Sequence, residues 1–252
     1  MNSEENCSIS ISENISRVRS AIKAACERAG RDPGDVTLIA VSKTKPFSDI
    51  LEALDSGATA FGENYVQELM EKIEENESSG AKKPIEWHMI GHLQKNKVKY
   101  LVGRTALIHS VDSVPLAAQI EKEAAKKELD VRILLEVNIA REESKFGFDP
   151  ESLEPAAREI SAFPHVKVLG LMTSAPLTEN AETNRVYFRE LKNLAEGLKA
   201  KKLLDVEETG KPVLSMGMTG DYQVAIEEGA TMIRVGTAIF GKRNYQNGGN
   251  KQ

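Results

Sequence analysis

Residues 38–46 read Leu38-Ile39-Ala40-Val41-Ser42-Lys43-Thr44-Lys45-Pro46, an apolar run that stops at Ser42 and is followed by two lysines before a proline. With Val36 ahead of it, the run is aliphatic and β-branched, and Thr37 is its one polar interruption. That is the pattern of a strand covered on both faces by helices. Such strands belong to parallel α/β sheets, where ligands and reactive groups collect at the carboxyl ends of the strands. Lys43 stands at such an end. Low-dielectric barrel walls destabilise an ammonium and free its amine to attack a carbonyl as a Schiff base. A solvated loop lysine is the other reading, and this segment by itself leaves both open.

Working outward, short apolar runs alternate with helical patterns. Eight runs are expected as strands, at 36–41, 58–61, 85–90, 106–109, 131–138, 166–171, 212–215 and 232–235. Helix-like segments between them include 48–55, 64–75, 114–127, 150–162, 182–202 and 222–228. Strands alternating with helices give βαβ units, and eight of them fit a closed (β/α)8 TIM barrel. An open doubly wound sheet uses the same units, but it calls for a glycine-rich turn after the first strand, and Ser42-Lys43-Thr44-Lys45-Pro46 is not one. Ahead of the first strand, Ser10 and Glu13 have capping-box spacing. Ile11, Ile15, Val18, Ile22, Ala25 and Ala29 follow at helical steps, which predicts an extra helix over 10–30 that closes the barrel floor or packs on its side.

The chain is therefore expected to be one domain over 1–252, with the barrel at 36–243 and a polar, disordered tail at 244–252. No apolar stretch reaches the length of a membrane span, and the polar, acidic start lacks an export pattern, so a cytoplasmic protein is expected. Cys7 and Cys26 have neither disulfide nor zinc spacing, and no metal site is expected. The net charge of −5 argues against general nucleic-acid binding, which needs basic charge to displace counterions. A single phosphate site is compatible with it.

Barrel closure makes strand eight the neighbour of strand one, so Arg234, Gly236 and Thr237 fall near Lys43. Barrels of this type often bind phosphate with the loops after strands seven and eight. The material there is Ser215-Met216-Gly217-Met218-Thr219-Gly220-Asp221 and Gly236-Thr237-Ala238-Ile239-Phe240-Gly241. Either loop alone reads equally as a tight turn; together they favour a phosphate site. Arg234 either pairs with an interior carboxylate or aims a fixed cation at a ligand ring nitrogen or phosphate. Asn64 follows strand two beside Lys43 and also has the place of a helix N-cap. His88 reads as a hydrogen-bonded core residue, and His92, Lys95, Lys97 and Lys99 as solvated charge. Lys145 is a second candidate for aldehyde chemistry, with acidic neighbours that favour a loop ion pair. Met172 packs on a flat ligand or fills the core.

Several blocks resemble one family, the pyridoxal phosphate homeostasis proteins, relatives of the alanine racemase barrel. They are Ala40-Val41-Ser42-Lys43-Thr44-Lys45-Pro46, Phe61-Gly62-Glu63-Asn64-Tyr65-Val66-Gln67-Glu68, Trp87-His88-Met89-Ile90-Gly91 with Leu93-Gln94-Lys95-Asn96-Lys97, Gly170-Leu171-Met172, Ser215-Met216-Gly217-Met218 and Arg234-Val235-Gly236-Thr237-Ala238-Ile239-Phe240-Gly241. They run through nearly the whole chain in the family's order. The resemblance implies that Lys43, rather than Lys45, holds pyridoxal 5′-phosphate (PLP) as a Schiff base. It also implies that Ser215, Gly236 and Thr237 hold the phosphate, that Arg234 faces the pyridine nitrogen, and that Asn64, Met216 and Met218 lie against the cofactor. Thr219 stands where many relatives carry Ser.

The function so implied is non-enzymatic PLP homeostasis, buffering the cofactor and supplying it to PLP-dependent apoenzymes, with no catalytic residue of its own. An arginine at the ring nitrogen disfavours ring protonation and weakens the electron sink. Racemases need a proton donor on each face of the substrate, and no second donor is evident here. A PLP-dependent amino-acid racemase or lyase is the alternative, and a cofactor-free Schiff-base aldolase on the same barrel is a third class.

Overall fold

Thr37–Val41 (β1) does form a strand buried by helices, and the units that follow repeat its pattern. The computed structural model describes residues 10–79, 84–206 and 210–241. Cys7 and the tail at 244–252 lie outside them. In chain order the elements begin with Ile11–Arg28 (α1), β1, Phe47–Asp55 (α2), Ala60–Glu63 (β2), Val66–Ser78 (α3), Glu86–Met89 (β3) and Val98–Leu101 (α4). They continue with Leu107–Val111 (β4), Val114–Lys127 (α5), Val131–Glu136 (β5), Pro150–Ile160 (α6), Val166–Met172 (β6) and Arg185–Ala200 (α7). The last unit pairs are Val213–Met218 (β7), Tyr222–Glu227 (α8), Met232–Val235 (β8) and Thr237–Phe240 (α9).

The strands form a closed parallel barrel in the order β1 to β8. Closure is made by Ile39 pairing with Arg234 and Ala40 with Val235, as the order of units requires. Helix α1 opens with a capping box in which Ser10 Oγ accepts from the Glu13 N–H and the Glu13 carboxylate accepts from the Ser10 N–H. Its apolar stripe of Ile15, Val18, Ile22, Ala25 and Cys26 packs against α2, α8 and α9. It therefore lies on the side of the barrel, across the seam where first and last units meet. There Asn14 Nδ2 donates to the Ile239 carbonyl at 2.9 Å. Among the described residues no helix is long and apolar enough to cross a membrane.

The largest departure from expectation is β7, which runs to Met218 instead of stopping at Ser215. Pairing jumps from Ser215 with Met232 to Met218 with Arg234, so β7 spends one residue more than β8 over the same span. Gly217, at φ 91°, absorbs that extra residue as a bulge. A glycine that reads as a loop signal here keeps a strand going. The segment expected as one helix over 182–202 divides into a turn at Ala181–Asn184 and α7.

Inside the barrel, the period of two along each strand stacks side chains in layers. Leu107, Leu134, Val213 and Met232 pack together around the lower interior, with Met172 joining them. Two residues further along the same four strands stand His109, Glu136, Ser215 and Arg234. An apolar plug thus supports a polar floor beneath the mouth. The alternate residues, among them Leu214 and Met216, belong to the larger core between strands and helices.

Candidate functional site

The turn after β1 is tied down on every side. Ser42 is fully buried and its N–H donates to the Gly62 carbonyl at 3.1 Å, extending the β1–β2 pairing by one residue. Lys43 follows, half-buried, and Thr44 then takes φ 63°, a left-handed conformation that is costly for a β-branched residue. The Thr44 N–H donates to Glu68 Oε1 at 2.5 Å. Lys45 turns away from the mouth, and its ammonium donates to the Phe240 carbonyl at 2.6 Å, joining this turn to the end of α9.

Across the interior runs a chain of hydrogen bonds. Arg234 Nη1 donates to Ser215 Oγ at 2.8 Å, Ser215 Oγ meets His109 Nδ1 at 2.8 Å, and His109 Nε2 meets His88 Nδ1 at 2.9 Å. One proton arrangement that serves all three has Ser215 donating to His109 and His109 donating to His88. His88 Nε2 is then left buried without a partner. Arg234 Nη2 also donates to the Thr173 carbonyl at 2.9 Å and approaches Ser174 Oγ at 3.4 Å. Burial holds His88 at a pKa of about 4. Burial, with His88 and Arg234 nearby, holds His109 well below the usual histidine range. Both imidazoles are neutral, and the charge on this chain is Arg234.

Burial lowers the Arg234 pKa to about 10, against the pull of Glu136 and Asp221. Its guanidinium therefore remains protonated at neutral pH. Glu136, inward-facing at the end of β5, is pushed up to about 7 by burial; Arg234 draws it back and Asp112 raises it.

Strand register brings most of the expected site residues together. Val41 pairs with Gly62 and Ala40 with Val235, so Asn64 on one side and Gly236 and Thr237 on the other stand level with the Lys43 turn. Met218, half-buried at the end of β7, pairs with Arg234. Asn64 does not cap α3, which starts after Tyr65 with no side-chain cap. Its place is set instead by Gly91, where a Cβ would lie 2.3 Å from the Asn64 carbonyl oxygen. Only glycine permits that approach of two loops.

Two of the expected residues sit below the open loops. Ser215 is inside β7, 0% exposed, with its hydroxyl engaged by Arg234 and His109. Met216 is also 0% exposed and points outward into the helix layer, so its side chain does not reach the mouth. Continuing the register from Met218 and Arg234, Thr219, exposed just past the end of β7, stands level with Val235, one residue before Gly236. Met172 fills the core. Lys145 donates to Glu142 Oε1 at 2.6 Å and to the Ser174 carbonyl at 3.2 Å, the loop pairing its acidic neighbours favoured. His92 pairs with Asp112 at 3.1 Å and stacks on Phe146 at 3.7 Å between centroids.

Sequence reasoning missed His109, Glu136 and a buried ion pair of Lys72 with Glu63 at 2.7 Å. His109 and Glu136 carried one signal, a titratable residue inside an otherwise apolar strand run. Lys72 carried none, because Glu68 and Lys72 have the spacing of an ordinary surface pair.

A lysine just past the end of β1, with an arginine on the adjoining β8 and a helix start after it, marks this chain within the closed barrels. Residues 13–244 match the family described as alanine racemase, N-terminal domain. Alanine racemase from Clostridium difficile in complex with cycloserine shares the fold, with a TM-score of 0.68 at 12% identity over 93% of this chain and 61% of that one. Within the class, the chain is 46% identical over 233 residues to the pyridoxal phosphate homeostasis protein of Aquifex aeolicus, covering 92% of this chain and 98% of that one. The Haemophilus influenzae protein of the same name is 40% identical over 243 residues, covering 96% of this chain and 100% of that one. The structure of PipY from Synechococcus elongatus with PLP bound has a TM-score of 0.77 at 34% identity, over 92% of this chain and 100% of that one. The chain belongs to the pyridoxal phosphate homeostasis protein family.

Proposed function

We propose that this protein binds PLP at the barrel mouth through the Lys43 amine, and that it buffers the cofactor and supplies it to PLP-dependent apoenzymes without catalysis of its own. When bound, PLP supplies an aldehyde that an amine can attack with loss of water, and a pyridine ring whose electron-withdrawing power depends on its protonation. The residues present fit this group. Arg234 is a buried cation whose protein partners are neutral, two hydroxyls and a carbonyl. Among the described residues, these bonds use three of its five N–H groups. Gly236 and Thr237 open α9, and the first N–H groups of a helix lack intrahelical acceptors and suit a phosphate. Thr219 adds a hydroxyl from the neighbouring strand end, Asn64 and Met218 flank the mouth, and Ser215 acts through Arg234. The barrel and α1 work as one domain.

The observation that carries the non-enzymatic reading is the protonated Arg234. A guanidinium with a pKa of about 10, if it met the ring nitrogen of bound PLP, would donate a hydrogen bond and keep its proton, which would leave that nitrogen unprotonated. Racemases and lyases that depend on a strong electron sink gain nothing from that arrangement.

The test is to add PLP to the purified protein, reduce with borohydride and locate the label by mass spectrometry. A label on Lys43, lost in Lys43→Ala, supports binding; a label that persists in the variant refutes the site. Exchange of the Cα proton of an amino acid in deuterated water by the loaded protein would overturn the non-enzymatic part.

A further inference from the structure

We infer that Lys72, Glu68 and Glu63 form a positioning clamp that fixes the backbone of Lys43 and so aims its amine. The inference rests on the proposal that Lys43 is the attachment point. The two peptide groups flanking Lys43 are both held from α3. On one side the Ser42 carbonyl accepts from Lys72 Nζ at 2.8 Å, and on the other the Thr44 N–H donates to Glu68 Oε1 at 2.5 Å. The two α3 side chains are themselves joined, Lys72 Nζ to Glu68 Oε1 at 2.7 Å. Lys72 also donates to Glu63 Oε1 at 2.7 Å, and Ser42 Oγ donates to the same oxygen at 2.6 Å. All three ammonium protons of Lys72 have acceptors, and two of the acceptors are on the strand ends beside the mouth.

A surface turn has no need of this. Lys72 is 6% exposed and Glu63 0%, and burying two charges is a poor way to gain stability compared with apolar packing. Glu63 Oε2 is buried without a partner, a second sign that the arrangement serves something other than stability. What the network holds is a strained turn. Thr44 at φ 63° returns to an extended conformation when its N–H is released, and Lys43 moves with it. The Lys72 and Glu63 side chains are buried against each other between α3 and the strand ends, so the clamp is proposed to position Lys43 rather than to contact the cofactor.

The test uses the full chain with Glu68→Ala, Glu68→Gln and Lys72→Met. In the cofactor-free protein, exchange of the Thr44 amide proton is expected to speed up about tenfold or more in Glu68→Ala and Lys72→Met. It is expected to stay slow in Glu68→Gln, which keeps an acceptor oxygen. With PLP, the rate of borohydride-trapped attachment to Lys43 should fall at least about tenfold in the first two variants and be rescued by the third. Affinity for pyridoxine 5′-phosphate, which has the ring and phosphate with an alcohol in place of the aldehyde, should be unchanged throughout. Equal losses for both ligands would mean a structural role only and overturn the clamp, as would wild-type exchange and attachment in Glu68→Ala. A wild-type label on another lysine refutes the attachment point instead, and the amide exchange still reads the clamp. If Lys72→Met fails to fold, the two Glu68 variants decide.

Discussion

Ser215→Ala separates two roles for this residue, phosphate ligand and prop for Arg234. The hydroxyl is 0% exposed and sits 2.8 Å from both Arg234 Nη1 and His109 Nδ1. Removing it strips a charge-assisted hydrogen bond worth about 1.5–3 kcal/mol and leaves a buried imidazole nitrogen unpaired at about 1 kcal/mol more. The expected loss in the cofactor-free protein is about 3 kcal/mol. At roughly 2–4 °C per kcal/mol for a chain of this size, Tm falls by about 6–12 °C. Urea unfolding and thermal scans of the cofactor-free protein measure it. Thr219→Val at an exposed position should leave stability within about 0.5 kcal/mol. Binding should split the other way. The ratio of affinities for PLP and for pyridoxal, which lacks the phosphate, isolates the phosphate site. That ratio should fall about tenfold in Thr219→Val, the loss of one hydrogen bond to a charged group, and hold in Ser215→Ala. A Ser215→Ala protein of wild-type stability whose ratio collapses would refute the reasoning.

Met216→Ala removes a fully buried side chain from the helix layer and should cost about 2–5 kcal/mol in urea unfolding, with PLP affinity of the folded protein unchanged; a weakened affinity at unchanged stability would return Met216 to the site. The pH dependence of stability should carry the signature of the polar floor. His88 and His109 have folded pKa values below the unfolded 6.5, so their contribution is complete above that value and is lost as pH falls, at about 1.4 kcal/mol per unit for each. Glu136, raised from 4.5 to about 7, binds its proton earlier in the fold than in the unfolded chain and offsets one histidine over that window. His109→Gln should therefore flatten the fall in stability between pH 6.5 and 5, and Glu136→Gln should steepen it. Identical slopes for wild type and Glu136→Gln would show that its carboxyl is not raised.

The barrel was legible because eight apolar runs recur with helical periods between most of them, and α5 runs over the same 114–127 that its periodicity predicts. Closure followed from the count, and with it the proximity of Arg234 to Lys43. The end of β7 was not legible, since Gly217 carries the same signal in a loop and in a bulge, and only pairing with β8 distinguishes them. The fate of Ser215 and Met216 was hidden for a related reason. A strand covered on both faces shows no polar alternation, so the sequence does not reveal which neighbour points inward.

By itself, the sequence determined the strand and helix order, the closed barrel and the lysine at the end of its first strand. These depend on local periodicity and on the number of units. Which side chains meet across the barrel was set only by the tertiary fold. His109, Ser215 and Arg234 meet from β4, β7 and β8, and Lys72 reaches the Ser42 carbonyl across 30 residues of chain. Such contacts are set by the phase of each strand and the facing of α3. Those are properties of packing between distant segments, which no local pattern encodes.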